Sequence, residues 1–276
     1  MKRSRTQLRA VVAVGNHKGG VGKTTTTLNL AMALNLQGFK VMVIDIDRQG
    51  NLSSCLGWDR NRETDGEPTI FHVFLKDAPL PVYKDKSGIY YCPSTCIMQD
   101  VDQYLPGKRN PAMKLTRALQ KAPDDRTGDG LTDWVTDFDY ILIDSPVGPQ
   151  MLNDNILIAA NAVFIPVNLE GFASDGLQEY LSYVDEIRET ENPELQTLGF
   201  VISLRDKRVS DHKTGEQELR AKYGKMVFDT AISFREAVRK SQRQHSSVYA
   251  LPHSGDSREE FTMLANEFIR RTRNII

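Results

Sequence analysis

Several features are scarce in this chain of 276 residues. It has three cysteines, Cys55, Cys92 and Cys96, and an odd, sparse set argues against a disulfide framework and favours a reducing, cytoplasmic setting. No apolar run approaches the roughly 18 residues that a membrane-spanning helix needs. The formal net charge is −1, so any binding to nucleic acid must come from a local basic patch rather than from the molecule as a whole.

Apolar residues, at 40% of the chain, are instead concentrated in short and nearly continuous runs. Such runs are typical of parallel strands that are covered by helices on both faces of a sheet. They lie at 10–15, 40–45, 89–92, 140–144, 162–167 and 198–203, with a weaker run at 226–229. Helical patterns lie between or after them, at 24–37, 175–190, 214–223 and 258–274.

This alternation predicts a doubly wound α/β fold with a mostly parallel sheet. We expect one domain over residues 1–276. Two segments are polar and rich in turn-forming residues, at 60–87 and 123–133, and they are predicted to be insertions or mobile loops.

A glycine-rich string, HKGGVGKTT, starts at His17 between the first predicted strand and the first predicted helix. Glycines let the backbone turn with positive φ, and the exposed N–H groups at a helix N-terminus can then surround a phosphate. Lys23 can reach the β- and γ-phosphates, and the Thr24 hydroxyl can bind Mg²⁺. The string therefore predicts a nucleotide site formed by Lys18, Gly19, Gly20, Val21, Gly22, Lys23, Thr24 and Thr25.

The string departs from the usual phosphate-loop pattern, since His17 stands five positions before Gly22 where a glycine is expected. With its additional Lys18, the form K-G-G-V-G-K-T-T resembles the deviant Walker A box of the ParA/MinD family. The resemblance implies a P-loop NTPase-like fold, ATP as the nucleotide, and a sandwich homodimer in which Lys18 reaches the nucleotide of the partner subunit. Such a second positive charge would stabilise phosphoryl transfer, with Lys18 and Lys23 acting as catalytic groups.

Two acids, Asp45 and Asp47, follow the second predicted strand at the sheet edge where open α/β sheets bind ligands. The surrounding residues resemble the family's switch I box, D-x-D-P-Q-G-N, with Arg48 in place of the proline. The resemblance implies that Asp47 positions or activates the attacking water and that Asp45 organises Mg²⁺ through water. Arg48 could change the stiffness of the loop or add a cation near the γ-phosphate. A carboxylate pair that only caps a turn is the alternative interpretation.

A third acid, Asp144, ends the apolar strand 140–144. This strand resembles the Walker B box, which implies that Asp144 holds Mg²⁺ through a water. The family usually continues with C-P-P, whereas this chain has Ser145, Pro146 and Val147. The predicted metal set is therefore Thr24, Asp45 and Asp144. The resemblance is good over 11–183, loose within 60–126, and moderate beyond 198.

Positive charge is concentrated at 203–243, where Lys and Arg outnumber Asp and Glu by eleven to six. Four of these residues are Arg235, Arg239, Lys240 and Arg243, and on a helix positions four apart share a face. A solvated helix face is one interpretation. The family resemblance implies the other, which is binding to DNA without sequence preference in the ATP-bound dimer.

The sequence therefore favours a ParA-like ATPase with ATP and Mg²⁺ as cofactors. Such a protein would drive plasmid or chromosome partition, or position another cargo, at the nucleoid in the cytoplasm. A ParB-like or other centromere- or cargo-binding partner would stimulate its slow hydrolysis of ATP.

Two other functions remain as alternatives. One is a MinD-like ATPase whose C-terminal helix docks on a membrane, although we expect the apolar face of 258–274 to pack on the sheet. The other is a reductase like the nitrogenase iron protein, which needs cysteines at the dimer axis that Cys92 and Cys96 do not match.

Overall fold

The structure is a computed structural model, and it describes residues 9–148, 150–169, 174–206, 208–273 and 275. Its strands are β1 (Ala10–Val14), β2 (Val41–Asp45), β3 (Pro81–Lys84), β4 (Tyr90–Cys92), β5 (Asp124–Asp125), β6 (Tyr140–Asp144), β7 (Ala162–Asn168), β8 (Gln196–Arg205) and β9 (Val227–Ser233). Its helices are α1 (Lys23–Leu36), α2 (Asn51–Cys55), α3 (Asn61–Thr64), α4 (Ile70–Lys76), α5 (Val101–Tyr104), α6 (Lys114–Leu119), α7 (Trp134–Asp137), α8 (Gln150–Ala159), α9 (Ser174–Thr190), α10 (Ser210–Tyr223), α11 (Glu236–Arg243) and α12 (Gly255–Thr272).

The strands form a nine-stranded sheet in the order β5-β3-β4-β2-β6-β1-β7-β8-β9. Among the described strands all pairs are parallel except β3 with β4. The register brings Asp144 of β6 opposite both Val14 of β1 and Asp45 of β2. The carboxyl ends of the three central strands therefore meet at one edge of the sheet, which is the edge where the predicted phosphate loop begins.

Helices cover both faces of this sheet, as the continuous apolar runs predict. Successive residues of β1 alternate between two hydrophobic clusters, with Val11 and Ala13 on one side and Val12 and Val14 on the other. Helices α4 to α10 contribute to the first cluster, whereas α1, α2, α11 and α12 contribute to the second. The predicted doubly wound, mostly parallel α/β fold is confirmed.

The segments 60–87 and 123–133 contain more regular structure than their composition predicts. The first includes α3, α4 and β3, and the second includes β5. Pro81 is tolerated because it is the first residue of its strand, where proline fits a sheet. In the second segment, Asp125 accepts hydrogen bonds from the amides of Thr127, Gly130 and Leu131, which fixes the loop. The prediction that these segments are only insertions or loops is therefore wrong in part.

Helix α12 packs its apolar side into the protein. Phe261, Leu264, Ala265 and Phe268 are fully buried in the cluster that also contains residues of α1 and β9. The expected packing of this helix on the sheet is thus confirmed for these side chains. In the part of the chain that is described, no helix has both the length and the apolar character to cross a membrane.

Candidate nucleotide-binding site

The glycine-rich string forms a loop between the end of β1 and the start of α1. Gly20 and Gly22 have φ values of 73° and 79°, a region that favours glycine, and Gly22 stands immediately before the first turn of α1. Ser203 at the end of β8 donates a hydrogen bond of 2.6 Å to the carbonyl of Val21. The loop thus leads into the N-terminus of the 14-residue helix α1, and the hydrogen bond from Ser203 attaches the loop to β8.

Lys23 is buried under this loop. Its Nζ donates to the carbonyls of Asn16 at 3.1 Å and Lys18 at 3.2 Å. Burial lowers the pKa of this ammonium group, while the charges of Asp144 and Asp47 act in the opposite direction. A cation that is largely withdrawn from water gains strongly from an anionic partner, and a phosphate is such a partner.

Two carboxylates, Asp45 and Asp144, lie almost fully buried at the same edge. Asp45 accepts from the amide of Ser53 at 2.8 Å and from its hydroxyl at 2.6 Å, and Asp144 accepts from the hydroxyl of Thr24 at 2.7 Å and of Thr27 at 3.2 Å. Burial raises the pKa of both carboxyl groups, and the charge of Asp45 raises that of Asp144 further.

This concentration of oxygen ligands fits a magnesium ion. Mg²⁺ prefers hard oxygen donors and commonly combines one or two carboxylates with water and phosphate. The structure brings together the predicted set of Thr24, Asp45 and Asp144, and a divalent cation would stabilise the ionised form of the two acids, which burial and their mutual repulsion disfavour.

Asp47 follows Asp45 on a tight turn and lines a cavity that opens beside the phosphate loop. Its backbone N–H donates to Asp45 Oδ1 at 3.1 Å, and its own Oδ1 accepts from the amide of Gln49 at 3.0 Å. The Gly50 amide closes the turn by donating to the Asp47 carbonyl at 2.8 Å. The predicted catalytic carboxylate therefore lines the same cavity as the phosphate loop and is less buried than the two metal-site acids.

A cavity of about 360 Å³ opens beside the loop. One wall includes loop residues and Asp47, and a second wall comes from the end of α11 and the residues just after it. The second wall was not predicted from the sequence, since it carries no motif and depends on tertiary contacts. Gln242 on this wall donates from Nε2 to Thr25 Oγ1 at 2.9 Å, which links α11 to α1. The wall residues are Ser241, Gln242, His245 and Ser246.

The four predicted basic residues lie at or within α11. Arg235 immediately precedes the helix, and the other three are part of it. Arg235 and Arg239 line a second cavity, of about 510 Å³, together with Arg205 and Arg208. We call it the basic cavity, although Asp206 and Glu236 also line it. Arg205 and Arg208 belong to the basic region of the sequence, but no local pattern singles them out. Two of the four predicted residues already have acidic partners, because Arg235 pairs with Asp256 and Glu260, and Arg243 pairs with Glu236.

Arg239 and Lys240 differ from these paired arginines. The guanidinium of Arg239 lies over the ring of Phe234 at 4.4 Å from its centre. Within the described residues neither Arg239 nor Lys240 has a carboxylate partner. These two cations are therefore the members of the predicted cluster whose charge is least neutralised by the protein itself.

Comparison with known proteins agrees with this geometry. A family profile described as an AAA domain matches residues 9–197. The chromosome partitioning protein ParA of Caulobacter vibrioides is 32% identical over 269 residues, which covers 96% of this chain and 95% of that protein. The chain belongs to the ParA family of P-loop ATPases.

One further relative supports the ParA-family assignment, and one solved structure supports the fold. The chromosome-partitioning ATPase Soj of Thermus thermophilus is 33% identical over 222 residues, or 80% of each chain. The structure of cobyrinic acid a,c-diamide synthase from Mycobacterium smegmatis, solved with a bound ATP analogue and magnesium, superposes with a TM-score of 0.77. It is 26% identical and covers 98% of this chain and 96% of that one. The resemblance carried by the sequence motifs is therefore confirmed at the level of family and fold.

Proposed function

We propose that this ParA-family protein binds ATP and Mg²⁺, closes into a homodimer, and hydrolyses ATP slowly to position DNA or another cargo. The observation that carries the proposal is that Lys23, Thr24 and Asp47 line one cavity, with the buried Asp144 bonded to Thr24 and the buried Asp45 bonded to the Asp47 amide. A phosphate loop with buried metal-site acids and a separate, more exposed acid has the parts that ATP hydrolysis needs.

In this mechanism the loop amides and Lys23 bind the phosphates. The Nζ of Lys23 exchanges its bonds to the Asn16 and Lys18 carbonyls for phosphate oxygens. Thr24, Asp45 and Asp144 would hold Mg²⁺, which when bound neutralises charge on the phosphates. Asp47 orients the attacking water within the same cavity, and its exposure leaves room for that water.

Lys18 is an exposed residue of the phosphate loop. We assign it to the nucleotide of the partner subunit, because its neighbour Lys23 already serves the subunit's own phosphates. In the closed dimer each site would then have two lysines. ATP binds the closed state better than the open state, and hydrolysis removes that difference, so the nucleotide acts as a switch.

DNA would bind at the cavity lined by Arg205, Arg208, Arg235 and Arg239, with Lys240 and Arg243 nearby on α11. The arginine side chains at this cavity and the lysine nearby would contact phosphate oxygens of the DNA backbone. Contacts of this kind recognise the backbone and not the bases, so we expect no sequence preference.

The proposed partner is a ParB-like or other centromere- or cargo-binding activator, and the proposed site of action is the nucleoid. Docking on a membrane through α12 is not proposed, because the apolar side chains that would enter the lipid are buried against the sheet.

The test is binding to non-specific DNA with ATP, with ADP and without nucleotide, at several salt concentrations. We expect tight binding only with ATP and Mg²⁺, with a steep loss of affinity as salt rises. Lys23→Ala should bind neither nucleotide nor, in consequence, DNA. Equal DNA binding in all three nucleotide states would contradict the proposal that ATP controls DNA binding.

A further inference from the structure

The turn that carries Asp47 is short and exposed. It runs from Asp47 to Gly50 and is closed by the bond from the Gly50 amide to the Asp47 carbonyl, with Arg48 and Gln49 at its two central positions. Both central side chains are exposed. A proline at the first central position would restrict the turn by fixing φ near −65°. Arg48 imposes no such restriction on φ, so the turn depends on hydrogen bonds, which come from its own residues and from an outside contact.

An external contact to the turn is present. Arg60 donates from Nη2 to the carbonyl of Gln49 at 2.6 Å. This carbonyl belongs to the second central residue, and neither of the two hydrogen bonds within the turn uses it. The guanidinium also reaches the region above Gly50, where it lies 3.9 Å from the position that a Cβ would occupy. Arg60 therefore spans from another segment onto the middle of the turn.

The segment that carries Arg60 is itself firmly attached to the sheet. Arg62 lies over the rings of Trp58 at 4.7 Å and Tyr83 at 4.9 Å, and both aromatic residues are buried. Tyr83 of β3 donates from Oη to Glu67 at 2.8 Å. Glu63 accepts a hydrogen bond from the hydroxyl of Thr95. The backbone of Arg60 is therefore held in place independently of the turn. For this reason its side chain can restrain the turn.

We propose that Arg60 is a positioning residue for ATP hydrolysis, which holds the Asp47–Gly50 turn from outside in the way that a proline at position 48 would hold it from within. The inference rests on the proposed function, since it assigns to Asp47 the orientation of water. Loss of the hydrogen bond to the Gln49 carbonyl lets the turn fluctuate. The Asp47 carboxylate then spends less time in the position from which it orients the attacking water. Nucleotide binding is unaffected, because Arg60 does not line the nucleotide cavity.

The test uses Arg60→Ala, the double variant Arg48→Pro with Arg60→Ala, and Arg60→Lys. We expect Arg60→Ala to lower kcat about tenfold while the affinity for ATP stays within about twofold, as for a misplaced catalytic group. Hydrogen exchange at the amides of Gln49 and Gly50 should become faster. Arg48→Pro in the same chain should restore most of the turnover and slow the exchange, and Arg60→Lys should fall in between. Arg188→Ala, which removes an exposed arginine with one acidic partner on α9, is the matched control.

Two outcomes would overturn the inference. In the first, Arg60→Ala leaves both turnover and exchange unchanged, which means that the turn needs no external contact. In the second, turnover falls but exchange does not rise and Arg48→Pro gives no rescue, which means that Arg60 acts elsewhere. Absence of ATP hydrolysis by the unmodified protein would instead defeat the proposed function, and the exchange measurements would still decide whether Arg60 fixes the turn.

Discussion

The charged residues of the site differ most in how much of each side chain is exposed to water. Lys23, Asp45 and Asp144 are buried, whereas Lys18 is exposed and Asp47 lies in between. Buried charges are costly without a partner, so the first three are matched to the ligands that we propose for them. The other two lie where a water molecule or a second subunit can reach them.

Asp47→Ala should separate binding from hydrolysis. The side chain contacts the amide of its own turn but neither Lys23 nor Thr24 within hydrogen-bond distance, so the phosphate loop is left intact. We expect ATP binding and dimer formation to persist while turnover falls by about 10²-fold or more. Calorimetry and a phosphate-release assay measure the two properties, and hydrolysis at the normal rate would remove Asp47 from the proposed role.

Asp144→Asn should stabilise the protein in the absence of metal and nucleotide. The folded pKa of this buried carboxyl group lies above its unfolded value, so the carboxylate reduces stability as pH rises from about 4 toward the raised pKa. Asparagine keeps the shape and has no such charge. The gain in Tm should therefore be larger at about pH 8 than at about pH 5. An equal change in Tm at both pH values would contradict the burial that we assign to this group.

Among the elements, α11 lines both cavities, and β8 bonds to the phosphate loop and lines the basic cavity. Ser203 of β8 bonds to the phosphate loop, and Arg205, two residues later, lines the basic cavity. Between them Leu204 has a φ of 54°, a conformation that costs a branched side chain free energy and that the surrounding contacts impose. Helix α11 likewise places Gln242 at the nucleotide cavity and Arg239 at the basic cavity.

The ion pairs of α11 predict an order of importance for DNA binding. Arg239→Ala and Lys240→Ala should each weaken binding more than Arg243→Ala, because Arg243 is already paired with Glu236. Each of the first two should also reduce the dependence of log affinity on log salt by about one phosphate contact. Binding titrations at three salt concentrations give both quantities, with Arg188→Ala as control. A larger effect from Arg243 would show that its ion pair opens in the complex.

The elements also show what the sequence alone can predict. The central strands were found because their apolar runs are buried on both faces, and the phosphate loop was found because its chemistry requires a fixed local spacing. β3 was missed because it is short and begins with a proline. The contact of Gln242 with Thr25 and that of Arg60 with Gln49 join residues that are far apart or in different segments, so no local pattern records them.

At the scale of the whole molecule, the sheet places the nucleotide site and the basic cavity along one edge, with β8 and α11 between them. If the arginines bind DNA as we propose, a nucleotide that moves either element would change their spacing and so link ATP to DNA within one subunit. Closure of two subunits would then double the number of phosphate contacts, and affinity for DNA would rise steeply because the second contact is intramolecular.

Lys18→Ala tests the dimer independently of DNA. Because we place this exposed lysine at the partner's nucleotide, its loss should leave binding of ATP to the monomer within about threefold, while turnover and ATP-dependent dimer formation both fall. Light scattering with and without ATP measures the mass, and Lys222→Ala, at an exposed position on α10, is the control. A normal dimer with normal turnover would exclude a role for Lys18 across the interface.

The shared position of α11 limits how its length can vary. An α-helix advances by about 100° per residue, so inserting or deleting one residue would turn every later side chain by that angle. Gln242 would then leave Thr25, and the cations would be redirected relative to the arginines of β8. A change of register in this one helix should therefore damage both ligand sites at once, whereas most single substitutions on it damage only one.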